Sequence, residues 1–433
     1  MFIDQVNVRM ALMFKKIELE NGLRIVTVPS KNTQAVTVLI LVKVGSKYEP
    51  KGIGGISHFL EHMLFKGTKN RPTSLAVAEE LDKVGGEYNA FTGEEYTGYY
   101  AKVEASNLDL ALDWVSDIFL NSTLPAEEVE KEQHVIIEEI NMYLDNPMAR
   151  VQNLWREVMY GDQPAGRDIA GTKENVRGIS REDLAKFRSD FYTANQTLIC
   201  VAGKIDEDDT IDKIKKYFDN IDQSKEIKRE QVIDEQEDYK SLIFNKDTDQ
   251  THLCLGVRGY NLFHEDKYVI QTLSTLLGGM MSSRLFVEVR EKLGLAYYVG
   301  SMADLDPDTG YLMARAGVDN TKVDKAIEAI LKEFKKLTIE EVSPGELQKA
   351  KDYIKGKMAL GLESSDSLAS FYSMQELLQG EILDTKEIFK RIDKVTKEDI
   401  LRVAKDIFVK DKLNLALIGP FKQGEFDNLL KEF

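Results

Sequence analysis

Apolar and polar positions alternate from Lys15 to Leu19 and again from Arg24 to Val28, on either side of Asn21-Gly22. A period of two marks half-buried strands, and Asn-Gly between two such runs is a hairpin signal. Ala35 to Val44 is apolar almost throughout, as a buried strand requires. Gly54-Gly55 then opens a short helix, and Ser74 to Val84 reads as a second. A strand follows the turn at Gly85-Gly86, and Tyr96 to Val103 returns as another. Leu108 to Leu120 is an amphipathic helix. Pro125 opens a longer one, in which Val129, Ile136, Ile137, Ile140 and Met142 gather towards one side. Asn195 to Ala202 (strand) and Asp209 to Phe218 (helix) close this half.

The same order recurs. Thr251 to Val257 is a strand, and Tyr268 to Leu277 a helix ahead of Gly278-Gly279. Ile327 to Leu337 and Pro344 to Leu362 correspond to the earlier helix pair. Leu413 to Gly419, followed by Glu425 to Phe433, echoes Thr197 to Gly203 and its closing helix. A period near 200 residues indicates a tandem duplication. The expected architecture is α+β: two homologous sandwich domains, each a largely antiparallel sheet with helices packed on one face. Residues 14–221 form the first domain and 240–433 the second. Residues 222–239 are charge-rich with few apolar positions, as an exposed linker would be.

Composition narrows the function. The chain has 433 residues, 57 basic against 73 acidic side chains, and a net charge of −16. A nucleic-acid binder would carry a basic stripe instead. Acidity would favour basic peptides if concentrated around a site; spread over the surface, it serves solubility. No apolar run is long enough for a membrane span. Cys200 and Cys254 sit in apolar strands and form no CxxC pair, which favours a reducing compartment. Met1 to Met13 lacks the basic and apolar regions of a secretory signal. A cytoplasmic location is expected.

The chemistry lies in Ser57-His-Phe-Leu-Glu-His62. His58 and His62 are four apart, so on a helix both imidazoles leave one face, with Glu61 beside them. Two neutral imidazoles from one turn are a common start to a zinc site, and an adjacent carboxylate can handle the protons of water. A third ligand is needed, and Glu139 is the best candidate. Glu132 shares its face, two turns earlier, while Glu138 points about 100° away. Spacing alone does not choose between Glu138 and Glu139. His134, His252 and His264 read as structural or exposed.

This pattern resembles the pitrilysin, insulin-degrading enzyme and mitochondrial processing peptidase family, in its short bacterial form. There HxxEH is followed about 76 residues later by a ligand glutamate, with a second acidic residue seven positions before it. The resemblance implies that His58, His62 and Glu139 hold one Zn2+ per chain, with Glu61 as general base and Glu132 supporting the ligands from outside. Gly85-Gly-Glu-Tyr-Asn-Ala-Phe-Thr92 looks like the family's edge strand, in which Asn89, Ala90 and Phe91 would pair with substrate backbone. Arg290 and Tyr297 match a pair that contacts substrate and steadies the oxyanion.

The function so implied is a zinc endopeptidase that cleaves extended or unfolded peptides inside a clamshell chamber. Family members of this length act as paired chains. A homodimer with composite sites is therefore expected, with neither nucleic acid nor membrane as partner. The competing expectation is a non-catalytic or hetero-partnered peptide-binding subunit of a processing complex.

Overall fold

A computed structural model describes residues 14–223, 227 and 229–433; the leader Met1 to Met13 lies outside the described residues. Six strands form the first sheet: β1 (Lys15–Glu18), β2 (Arg24–Pro29), β3 (Ala35–Val42), β4 (Glu87–Thr92), β5 (Thr97–Glu104) and β6 (Thr197–Gly203). Their order is β1-β2-β6-β3-β5-β4. The second sheet holds β7 (Lys240–Asn245), β8 (Gln250–Arg258), β9 (Ala296–Leu305), β10 (Gly310–Asp319) and β11 (Leu413–Gly419), in the order β7-β11-β8-β10-β9. Among the described strands only β2/β6 and β7/β11 run parallel. The second sheet repeats the first without a counterpart of β1, so the duplication read from the sequence is present in the topology.

The apolar run of β3 has a specific cause. Side chains alternate between faces along a strand, and here both faces are covered. Val36, Val38 and Ile40 join the core beneath helices Ile56–Met63 and Leu108–Asn121 of the same half. Leu39 and Leu41 face the other way, under helix Ser365–Gln379 from the second half, which buries Ala369, Tyr372 and Leu377 there. The exchange is reciprocal. Helix Pro147–Tyr160 of the first half lays Val151, Leu154 and Trp155 on the outer face of the second sheet, against Met313, Ala416 and Ile418. Each fully buried large apolar side chain contributes roughly 1.5–3 kcal/mol. Cys200 and Cys254 lie buried and unpaired beneath these two helices.

Charge also joins the halves. The Lys47 ammonium is 1% exposed and donates to Glu95, Asp306 and Asp308 at 3.1, 2.6 and 2.9 Å. Arg229, from the connecting segment, bridges Glu95 and Asp308 at 2.8 and 2.9 Å. The connection is thus tied down at Arg229, and again at Asp234, which pairs with Arg258. None of the described helices is long and apolar enough to cross a membrane.

Candidate active site

The motif helix, Ile56–Met63, begins at Gly55, whose φ of +95° suits glycine. A Cβ there would also lie 2.4 Å from the Ala170 carbonyl oxygen, so the loop at residues 168–171 closes onto the helix start. Glu49 caps this terminus from a distance: its carboxylate accepts from the Gly55 and Ser57 amides at 2.6 and 2.8 Å. These are donors that a helix start leaves without intrahelical partners. Ile56, Phe59, Leu60 and Met63 are wholly buried. Their face anchors the helix and leaves His58, Glu61 and His62 on the open side.

The long helix Ala126–Asp145 runs against the motif helix and supplies Glu139. Glu139 Oε2 lies 3.6 Å from His58 Nε2 and 3.5 Å from His62 Nε2. Tetrahedral coordination at roughly 2.1 Å implies ligand–ligand edges of about 3.4 Å, so the three atoms fit one small divalent cation. Glu138 is exposed and accepts from Asn141, whereas Glu139 is the glutamate of this pair that converges with the two imidazoles. On its far side His62 donates from Nδ1 to Glu132 at 3.0 Å, which leaves Nε2 facing Glu139. Lys66 donates to the other Glu132 oxygen at 2.5 Å. Carboxylate, imidazole and cation site thus stand in line, an arrangement that orients a ligand and raises its basicity.

Electrostatics favour a cation here. Burial, then the neighbouring His62, pulls His58 down to about 4, so it is neutral at pH 7. Burial would lower His62 as well, but its bonds with Glu132 and Glu139 lift it to about 9. The hydrogen bond from His62 holds Glu139 below the usual carboxylate range despite burial. Burial raises Glu132, but bonds from His62 and Lys66 outweigh it and keep it low. Two ionised carboxylates therefore flank the His62 ring. Burial pushes Glu61 up, opposed first by the Thr92 hydroxyl, which donates to it at 2.5 Å.

The pocket around these groups measures about 370 Å3, and Phe91, Thr92 and Tyr143 line it beside His58, Glu61 and Glu139. Asn89, Ala90 and Phe91 lie on β4, the terminal strand, which pairs only with β5. Its outer edge has no strand partner among the described residues. Arg290 and Tyr297 do not reach this pocket. Arg290 sits in the π-helical segment Phe286–Lys292, over the Phe286 ring, and Tyr297 is 76% exposed at the start of β9. The other histidines stand apart: His134 is exposed, His252 stacks on Tyr298 and His264 on Tyr260.

Four supporting residues escape the motif reading: Glu49, Lys66, Thr92 and Tyr143. Two carry a signal in spacing. Lys66 follows His62 by four positions, and Tyr143, which hydrogen-bonds Glu139, follows it by four. Thr92 and Glu49 come from other elements, and only the fold brings them in. The second converging acid group, Glu95 with Asp306 and Asp308, holds the Lys47 ammonium and is no rival metal centre.

Two family models match consecutive parts of the chain. One, described as Insulinase (Peptidase family M16), matches residues 24–173; the other, described as Peptidase M16 inactive domain, matches residues 178–354. The chain belongs to the M16 peptidase family. An "uncharacterized zinc protease YmxG" of Bacillus subtilis is 37% identical over 410 residues, covering 94% of this chain and 98% of that one. An "uncharacterized zinc protease" of Rickettsia bellii is 34% identical over 415 residues, covering 94% and 98%. Among solved structures, a protease from Helicobacter pylori superposes with a TM-score of 0.88 at 26% identity, covering 94% of this chain and 99% of that one. A chain of Complex III2 from Candida albicans, at 20% identity and a TM-score of 0.82, covers 96% of this chain and 99% of its own. That last likeness is one of fold. The first M16 match ends beyond Glu139 and contains His58, His62 and Glu139.

Proposed function

We propose that this M16 chain is a zinc-dependent endopeptidase acting on extended or unfolded peptides. The observation that carries the reading is the convergence of His58, His62 and Glu139 beside Glu61, in a pocket bordered by an open sheet edge. His58, His62 and Glu139 would hold one Zn2+ per chain. When bound, the ion supplies Lewis acidity, polarising the scissile carbonyl and bringing the pKa of coordinated water to about 7.

The chain's own groups do the rest. The substrate extends β4 as an added strand, fixed by main-chain hydrogen bonds at Asn89, Ala90 and Phe91. Glu61 takes the proton of the attacking water and passes it to the leaving amine. Thr92 holds the Glu61 carboxylate in place, and its hydroxyl opposes the upward shift that burial imposes on the base. Glu132 and Lys66 fix the His62 ring.

Arg290 and Tyr297 lie outside the pocket of their own chain, which supports a homodimer with composite sites: Arg290 and Tyr297 of the partner subunit would steady the oxyanion. One such donor is worth roughly 3 kcal/mol. The two subunits would enclose a clamshell chamber in the cytoplasm. A peptide-library digest read by mass spectrometry tests the reading. Cleavage products are expected that vanish with a chelator and return with zinc; products unaffected by chelation would contradict it.

A further inference from the structure

A second cavity, of about 1000 Å3, opens beside the metal-site pocket, and the two share Asn153, Arg156 and Asp168 in their walls. It lies between helix Pro147–Tyr160, the residues that follow it, and the first residues of β7. Ile140, Leu144, Val158 and Leu242 give it an apolar floor. Its charge is the reverse of the chain's. Six basic side chains line it against four acidic ones, although acids outnumber bases 73 to 57 overall.

Several of these cations are already satisfied. Lys51 and Arg167 both meet Asp162, and Arg156 pairs with Glu94. Lys173 and Lys240 make no ion pair with any described residue; Lys240 donates only to the Met159 carbonyl oxygen, at 3.4 Å. Arg150 spans 3.5 Å to Glu157, while its Nε is buried with no hydrogen-bond partner among the described residues. Like charges gathered on an apolar surface repel one another and lose hydration. A ligand of opposite sign relieves both costs.

We propose that this cavity binds a carboxylate of the substrate peptide, from an Asp or Glu side chain or a free C-terminus, through Lys173, Lys240 and Arg150. The enzyme therefore discriminates in favour of acidic peptides, with residues next to the carboxylate packed on Ile140, Leu144 and Leu242. The inference deepens the peptidase reading and rests on it: the shared wall makes the cavity a continuation of the cleavage pocket.

Affinity tests it without turnover. Three fluorescent peptides of one length are titrated into the Glu61→Gln protein and read by anisotropy. The first is neutral with an amidated C-terminus, the second carries one internal glutamate, and the third has a free C-terminus. A charge-assisted contact gives about tenfold tighter binding of whichever carboxylate the cavity takes. That identifies the source, and the gain disappears in a protein also carrying Lys173→Ala and Lys240→Ala. Equal affinity for all three peptides, or a preference that survives both lysine substitutions, overturns the proposal. Wild-type turnover is read separately. Absence of any cleavage contradicts the peptidase reading, while the affinity comparison still decides the cavity.

Discussion

Glu132 accepts from His62 Nδ1 at 3.0 Å, on the side of the ring away from Glu139. The pair explains why a buried acid, 4% exposed, sits two turns before Glu139. Glu132→Ala frees the ring to rotate and removes a charge that raises its basicity. Zinc affinity should fall 10- to 100-fold, measured by competition with a chromogenic chelator. Turnover at saturating zinc should be affected less.

Thr92 links the edge strand to the base. Thr92→Val removes the only hydrogen bond to Glu61 found among the described residues, leaving the carboxylate free to swing. A loss in kcat of roughly tenfold is expected, since a misplaced proton-transfer group forfeits part of its contribution. Metal content should not change. Zinc content and steady-state rates on one preparation check both.

Glu49 should make folding pH-dependent. Burial pushes its carboxyl up to about 7, against the lowering effect of the Gly55 and Ser57 amides. A folded-state pKa above the unfolded value favours folding at low pH, and that contribution is lost as pH rises through 7. Between pH 5.5 and 8 the wild type should lose about 2 kcal/mol more than Glu49→Gln. Urea unfolding of both proteins at the two pH values tests this.

Lys47 is the buried charge between the two sheets. Lys47→Met leaves Glu95 and Asp308 with Arg229 as their remaining cation, and Asp306 with no cation among the described residues. Breaking a buried pair typically costs about 3–5 kcal/mol, and the two halves should begin to melt apart. Calorimetry should show a lower transition that broadens or splits.

Subunit complementation tests composite sites. His62→Ala and Tyr297→Phe inactivate different halves of the proposed site, so mixing them under conditions of subunit exchange should restore part of the activity. No recovery after proven exchange would place both halves within one chain.

Much of this site is legible along the chain because helices impose fixed spacings. His58 and His62 share a face at i, i+4, and Glu132 and Glu139 at i, i+7. The duplicated topology is legible for a similar reason, since two copies of one order of elements recur. The exchange of helices Pro147–Tyr160 and Ser365–Gln379 is not. An apolar face on a helix shows that it packs, without naming the sheet it packs on, and here each helix crosses to the other half. Strands β9 and β10 are equally hard to foresee. Gly300, Gly310 and Gly317 interrupt their pattern where the backbone lies close to Gly278, Tyr260 and the Tyr298 ring. Thr92 meets Glu61 across 31 positions of sequence, a contact no local periodicity encodes.

In the proposed mechanism Glu61 moves the proton for hydrolysis at a metal held by His58, His62 and Glu139. The most direct test is turnover of a quenched peptide by Glu61→Gln carrying the wild-type complement of zinc. The expected result is a rate lower by a factor on the order of 10²–10⁴ with zinc retained. A zinc-loaded Glu61→Gln that cleaves at the wild-type rate contradicts this mechanism.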